Sequence, residues 1–230
     1  MLAVEIPDWV QPVAEYMLEV GLRGTLQIAA IALVGSTIVG IVLGTLLTLK
    51  FLPLRAAIRL YIEVWRGLPI LVTIFIIFFL LPAVSVHLRF DPLTAAAIGL
   101  ILWGSAQVAE ATRGAVESIP REQHEAAAAL GFGWLGRHTF VILPQAFRRL
   151  LPPMVGLLVN IIQNTTIAQV IGAAELLESG ERSVERLTSP PPIGIGEVKA
   201  LQIYAAVMVI FFLISFPLTR LAAYLERRLV

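Results

Sequence analysis

Five long segments of this sequence contain no Asp, Glu, Lys or Arg, and they restrict the possible folds more than any other feature. They span residues 24–49, 67–86, 92–109, 150–174 and 200–219. A helix needs about 20 apolar residues to cross the hydrocarbon core of a bilayer, and each segment approaches or exceeds that length. The third is the shortest, and we expect its helix to continue for a turn beyond Ala109. The sequence therefore predicts an all-α membrane protein with five transmembrane helices.

The composition excludes several other classes of protein. Charged residues make up 14% of the chain, whereas soluble domains contain about 25%. The formal net charge is +1, which gives no electrostatic basis for a nucleic-acid partner. The sequence has no cysteine, which excludes disulfides, thiolate metal sites and cysteine nucleophiles. We expect a protein that contacts membrane lipid and binds neither nucleic acid nor metal.

Basic residues predict the orientation of the chain in the membrane. If the N-terminus is outside, the regions 50–66, 110–149 and 220–230 are inside, and they hold 12 of the 17 Lys and Arg residues. An excess of Lys and Arg marks the cytoplasmic side. We therefore predict a multi-pass membrane protein with its N-terminal segment, residues 1–23, outside and a cytoplasmic tail, residues 223–230. The N-terminal segment fits either a helix along the outer interface or a solvated start to the first span.

One hydrophilic stretch interrupts the apolar chain at residues 121–152, hereafter the polar segment. Glu122 and Glu125 are predicted to begin a short helix, where negative charge suits the helix dipole. The alanines at 126–129 give this helix a flat face with little side-chain bulk. Gly131 is predicted to end it with a left-handed cap.

Apolar side chains follow that cap. Phe132, Trp134 and Leu135 are candidate anchors for another protein, and a second helix is predicted to end at Leu143-Pro144. Two interpretations fit these residues equally well: a docking surface for a partner protein, or a loop that packs on its own transmembrane helices.

No feature of the sequence can supply energy for a reaction or for transport. There is no Gly-rich phosphate-binding loop and no pair of carboxylates at membrane depth, so we expect neither ATP hydrolysis nor another enzymatic activity in this chain. The five spans contain no charged relay of the kind that proton-driven transporters carry. We expect the energy to come from a separate subunit. The alternative is a channel or a structural helical protein with no ATPase partner.

Two polar groups lie at or near membrane depth. Gln163, Asn164, Thr165 and Thr166 form a dense cluster in the fourth span, which favours a water-accessible path over hydrogen bonding between helices. Glu110 and Arg113 lie three residues apart near the end of the third span, where they can form an ion pair.

Several ordered motifs resemble one family, the permease subunits of polar amino-acid importers driven by ATP-binding-cassette (ABC) subunits. Residues 125–131 (EAAAALG) and 142–146 (ILPQA) resemble the EAA loop of that superfamily. Residues 61–69 (YIEVWRGLP) resemble the stretch before its second span. Ala109-Glu110 with Arg113-Gly114, and residues 164–167 followed by Glu175-Leu176, resemble the ends of its third and fourth spans. The resemblance covers roughly residues 21–229.

The resemblance implies an inner-membrane protein with the type I ABC importer permease fold over residues 24–222, a periplasmic N-terminus and a cytoplasmic coupling loop at 116–149. It also implies a second permease, identical or paralogous, two ATPase subunits that bind ATP and Mg²⁺, and an amino-acid binding protein. This chain itself would bind no cofactor.

The same resemblance assigns roles to three sets of residues. Residues for ATPase coupling would be Glu122, Glu125, Ala126, Ala127 and Gly131. Residues of the substrate path would be Gln107, Gln163, Asn164, Thr165 and Thr166. Structural or gating residues would be Arg66, Gly67, Pro69, Glu110 and Arg113.

The chain departs from the family pattern at three of these positions. Gln163-Asn164 stands where the family often has Lys-Asp, and Gln107 stands where it often has tyrosine. An aspartate in place of Asn164 would suit a cationic substrate. We therefore predict transport of a neutral or acidic amino acid rather than arginine or lysine.

Overall fold

The computed structural model describes residues 7–49 and 51–229, and this part of the chain is helical without any strand. Its helices are α1 (Val10–Leu46), α2 (Leu52–Gly67), α3 (Ile70–Val84), α4 (Pro92–Glu117), α5 (Arg121–Ala129), α6 (Trp134–Ile171), α7 (Leu176–Thr188) and α8 (Ala200–Leu229). Short π-helical or 3₁₀ turns interrupt the α-helical geometry within α1, α3 and α6.

The five predicted spans are confirmed in part. Helices α1, α4, α6 and α8 are each long and apolar enough to cross a bilayer. Helix α3 reaches that length only together with α2, from which it is bent by 105°. The bend lies at Leu68 and Pro69, which have extended backbones and precede α3. Helix α3 therefore begins at Ile70, directly after Pro69 and three residues after the start of the charge-free segment at Gly67.

Helices α1, α4, α6 and α8 are longer than the charge-free segments that predicted them. Helix α1 already begins at Val10, so the described part of the N-terminal segment is the start of span one and no separate interfacial helix. Helix α4 continues past Ala109 to Glu117. Helix α6 has 38 residues and a length of about 57 Å.

The predicted end of a second helix at Leu143-Pro144 is wrong, because α6 continues through this point. Pro144 follows directly on a π-helical turn at His138–Ile142. Proline removes one backbone hydrogen bond, and local π-helical geometry is one way in which a helix absorbs that loss. Pro152 and Pro153 are likewise accommodated inside the helix.

Helices α1 and α4 pack so closely that glycine is required at their contact. A Cβ atom at Gly40 would collide with the Val108 side chain, and one at Gly44 would collide with the carbonyl oxygen of Ala109. Gly40 and Gly44 thus form a packing motif of the kind in which small residues let two membrane helices approach closely. The contact makes α1 and α4 one rigid block.

Helix α7 carries both acidic and basic residues and ends at Thr188, just before a run of prolines. One of its faces is buried on the π-helical turn of α1 and on α8. Ser179 and Ser183 lie on that face, and Glu178 is only 5% exposed. Helix α7 is therefore only partly exposed to solvent.

Glu175 fixes the start of α7. Its side chain is fully buried and accepts hydrogen bonds from the backbone N–H groups of Leu177, at 3.0 Å, and Glu178, at 2.7 Å. Burial raises the pKa of Glu175 to about 7, against the opposing effect of those two N–H donors. Thr25 of α1 accepts a hydrogen bond from the N–H of Leu176 at 3.1 Å, which attaches the same turn to the first span.

The α1–α4 contact predicts a position-specific effect of one added methyl group. Gly44→Ala should destabilise the protein by about 1–3 kcal/mol, because the new Cβ meets backbone that cannot move aside. Gly114→Ala is the matched control in α4, since a Cβ there meets nothing within 4 Å. It should be neutral or stabilising, because alanine is the better helix former. Thermal unfolding in detergent measures both variants, and equal melting temperatures would contradict the close contact.

Buried Glu175 predicts a dependence of stability on pH. Its pKa is higher in the folded protein than the ordinary value of 4.5, so its protonated form favours folding. Raising the pH from about 5 through 7 should therefore lower the free energy of unfolding, by up to about 3 kcal/mol. Glu175→Gln should remove most of this slope, whereas Glu181→Gln, at an exposed position of α7, should leave it unchanged. An identical slope in Glu175→Gln would show that other groups cause it.

Candidate functional site

The polar segment begins with α5, and the end of this helix has a defined cap. Gly131 has a φ of 83°, in the left-handed region that favours glycine. Its N–H donates to the carbonyl of Ala128 at 3.0 Å, and the N–H of Phe132 donates to the carbonyl of Ala127 at 3.1 Å. These two bonds form a Schellman motif, so the predicted left-handed cap at Gly131 is confirmed.

Most of the small and acidic side chains of α5 face outwards. Glu122, Glu125 and Ala126 are exposed. Ala128 and Ala129 are exposed as well. The result is a convex helix surface with little side-chain bulk.

Ala127 is the exception among the predicted coupling residues. It is 1% exposed and turns towards the chain's own interior. With about 3.6 residues per turn, four consecutive alanines point to all sides of the helix and cannot share one exposed face. The role of Ala127 in ATPase coupling stays a prediction.

Two apolar side chains extend the exposed surface beyond the cap. Leu130 is 78% exposed and Leu135 is 70% exposed. Phe132 is also exposed and lies next to Phe140, with 6.2 Å between ring centroids. Trp134, predicted as an anchor, instead packs on the chain itself, with its ring 4.3 Å from that of His138.

The polar segment is attached to the ends of the spans through apolar and polar contacts. Ile142, Ala146 and Leu150 of α6 pack on the last turns of α4 in a buried apolar cluster. Arg149 donates hydrogen bonds to both the carbonyl and the hydroxyl oxygen of Ser118, each at 2.8 Å. These contacts place the base of α6 firmly against the end of α4.

A cavity of about 350 Å³ lies between α4 and α6. Its lining consists of Trp103, Gln107, Val108, Ala111, Pro153, Met154, Gly156, Leu157 and Asn160. Gln107 and Asn160 contribute an amide from each wall, and the lining contains no charged side chain. The volume is in the range of small-molecule sites, which are mostly apolar with a few polar groups.

Only one predicted substrate-path residue, Gln107, lines this cavity. The amide N–H₂ of Asn164 donates to the carbonyl of Asn160 at 2.7 Å. Thr165 is buried and donates to the carbonyl of Ile162. These side chains bond to the carbonyls of their own helix, where it tightens into a 3₁₀ turn, rather than to the cavity.

The remaining members of the predicted cluster behave in the same way. Thr166 donates to the carbonyl of Gln163 at 2.8 Å, and the Gln163 side chain is exposed outside the cavity lining. Asn160 lines the cavity but is not among the substrate-path residues predicted from the sequence. Helical spacing could have identified it, since Pro153, Gly156 and Asn160 recur on one face of α6.

The predicted ion pair at the end of α4 is present. Arg113 contacts Oε1 of Glu110 at 2.5 Å and donates through Nε to Oε2 at 3.2 Å. It also pairs with Glu117, one turn further along. The pair stabilises the helix end, and its proposed role in gating stays a prediction. Arg66, Gly67 and Pro69 lie at the bend between α2 and α3, which fits a structural role.

A larger cavity, of about 560 Å³, lies between the start of α1, α7 and the proline-rich loop. It is lined by residues such as Trp9, Tyr16 and Arg186, at the opposite end of the first span from the polar segment. We assign the candidate path to the smaller cavity because two spans enclose it and Gln107 lines it. Within the described part of the chain, no group of three or more His, Asp or Glu side chains could hold a metal.

Known proteins share both the sequence and the fold. The profile of the family described as "Binding-protein-dependent transport system inner membrane component" matches residues 15–230. The glutamine transport system permease protein GlnP of Escherichia coli (strain K12) is 35% identical over 224 residues, which cover 96% of this chain and 97% of GlnP. The L-cystine transport system permease protein TcyB of Bacillus subtilis (strain 168) is 32% identical over 233 residues, covering 99% and 93% of the two chains.

Two solved structures are similar to this one. An amino acid ABC transporter crystallised with histidines superposes with a TM-score of 0.79 and 25% identity, over 97% of this chain and 100% of the other. The inward-facing MetNI methionine ABC transporter superposes with a TM-score of 0.72 over 94% and 98% of the chains, and at 17% identity it supports the fold alone. The predicted type I permease fold and the resemblance to amino-acid importer permeases are confirmed, and the chain belongs to the family of binding-protein-dependent transport system inner membrane components.

Proposed function

We propose that this chain is the permease subunit of an ATP-driven importer for neutral amino acids and is not itself an enzyme. One observation carries the proposal. Helix α6 runs unbroken from Trp134, beside the exposed surface of the polar segment, to Asn160 in the wall of the cavity. A rigid helix that reaches both places converts movement of the polar segment into movement of the cavity wall.

The polar segment is the proposed docking site for the ATPase subunit. Glu122, Glu125 and Ala128 present small or acidic side chains on a convex helix, which allows close approach of a partner's groove. Exposed Leu130 and Leu135 add apolar surface that a partner would bury. ATP and Mg²⁺ would be bound by that partner, and the distribution of basic residues supports a cytoplasmic position of the polar segment, where ATP is available.

Further partners follow from the same orientation. The N-terminal segment and α7 would face the periplasm, where an amino-acid binding protein delivers the substrate. Helices α1 and α8 expose rows of apolar side chains, among them Ile38, Val42, Leu201 and Phe212. A second permease and membrane lipid would cover these surfaces.

The cavity favours a substrate without net side-chain charge. The sequence predicted a neutral or an acidic amino acid, and the cavity lining contains amides but neither acidic nor basic groups. Amide side chains can donate and accept hydrogen bonds, so Gln107 and Asn160 suit a neutral polar group. The relative GlnP is named for glutamine transport, which supports the same choice.

Uptake by the purified complex in liposomes tests this proposal, with radiolabelled glutamine as substrate and arginine as competitor. Uptake should require internal ATP, and arginine should compete poorly. Asn160→Asp adds a negative charge to the cavity and should strengthen arginine competition about tenfold or more, since one charge pair is worth more than about 1.4 kcal/mol when partly desolvated. Asn164→Asp is the matched control, because Asn164 bonds to its own helix.

Each result has a separate meaning. Arginine as the best competitor of the wild type would overturn the substrate, while ATP-independent uptake would overturn the importer function. A larger effect of Asn164→Asp than of Asn160→Asp would move the substrate path away from the cavity, back to the residues predicted from the sequence.

A further inference from the structure

The side chains of Thr48 and His138 join two parts of the chain that are 90 residues apart. Thr48 follows the last turn of α1, and His138 lies in the second turn of α6 and is only 3% exposed. The distance between Thr48 Oγ1 and His138 Nε2 is 3.0 Å. Among the described residues, this is the only side-chain hydrogen bond between the polar segment and α1 or the residues that directly follow it.

The imidazole of His138 is held on both of its nitrogens. Nδ1 lies 2.8 Å from the carbonyl oxygen of Trp134, which can only accept, so Nδ1 carries a proton. Nε2 is then either a bare acceptor, to which the Thr48 hydroxyl donates, or a second donor. In the second case the hydroxyl donates to the carbonyl of Thr45, at 2.7 Å. The link between Thr48 and His138 exists in both protonation states.

Packing fixes the ring in place. The Trp134 ring lies over it with 4.3 Å between centroids, and the His124 ring of α5 lies 6.2 Å away. His138 therefore contacts the end of α1, helix α5 and the base of α6 at one point. Because His138 contacts three elements, a movement of one of them can be passed to the other two through this side chain.

The position of this link defines a mechanical role. One wall of the cavity belongs to α4, which is locked to α1 by the contacts at Gly40 and Gly44. The other wall belongs to α6, whose base carries His138. The Thr48–His138 hydrogen bond thus connects the two walls near the polar segment, in addition to the contacts of Arg149 and the apolar cluster at the end of α4.

We propose that Thr48 and His138 are positioning residues that form the pivot about which α6 moves against the α1–α4 block. The proposal rests on the coupling function proposed above and specifies which contact makes that coupling efficient. Without the pivot, movement of the polar segment shifts the base of α6 and is only partly transmitted to Asn160. ATP hydrolysis then continues, while less substrate is moved per ATP.

The test measures the ratio of ATP hydrolysed to glutamine taken up by the reconstituted complex. Thr48→Val and His138→Phe should each raise this ratio, by roughly two- to tenfold, the effect of one hydrogen bond on an equilibrium. The ratio in the double variant should equal that of the stronger single variant, because each substitution removes the same hydrogen bond. Thr48→Ser keeps the hydroxyl and should restore the wild-type ratio.

Thr37→Val is the matched control in α1, since the Thr37 hydroxyl bonds only to the carbonyl of Leu33 in its own helix. It should leave the ratio unchanged. Two results would overturn the pivot while leaving the importer function intact. One is a wild-type ratio of ATP hydrolysed to glutamine taken up in Thr48→Val, and the other is a double variant in which the effects of the two substitutions add. If His138→Phe does not fold, the comparison of Thr48→Val with Thr48→Ser decides. An uncoupled wild-type complex would overturn the proposed function and the pivot with it.

Discussion

The backbone continuity of helix α6 is the constraint on which the rest of the structure depends. Unpaired backbone groups are costly inside a bilayer, so a helix that contains proline must satisfy the carbonyls that proline leaves free. Helix α6 passes Pro144, Pro152 and Pro153 with one π-helical turn and without a break. One rigid element therefore reaches from the exposed polar segment to the cavity. If the helix ended at Pro144, the polar segment would be a loop without a mechanical connection to the cavity.

In the proposed function, α6 moves relative to the α1–α4 block. Glycines at positions 40 and 44 bring the two backbones together, and the wall that carries Gln107 belongs to this block. The two amides that line the cavity therefore lie on different elements: Gln107 belongs to the α1–α4 block, and Asn160 belongs to α6. Opposite the polar segment, buried Glu175 and Thr25 attach α7 to the same first span. The hydrogen bond between Thr48 and His138 lies where the base of α6 meets the end of α1.

Much of this arrangement could be predicted from the sequence because it depends on local chemistry. Missing charges identified the spans, the special backbone of glycine identified the cap at Gly131, and a three-residue spacing identified the Glu110–Arg113 pair. Tertiary contacts were harder to predict. The side chains of the polar cluster around Asn164 bond to their own helix and lie outside the cavity lining, and their role in the substrate path stays a prediction. Asn160 was passed over, although helical spacing puts it beside Gly156.

The most direct test of the account is whether the polar segment touches the ATPase. The natural chain has no cysteine, so Leu130→Cys introduces a unique thiol at a position that is 78% exposed. A short thiol-to-amine crosslinker applied to membranes that hold the complex should join this thiol to an ATPase subunit. Leu201 is 81% exposed and lies at the start of α8, so Leu201→Cys should give no such product. A transport-competent complex in which Leu201→Cys crosslinks to the ATPase and Leu130→Cys does not would contradict the account.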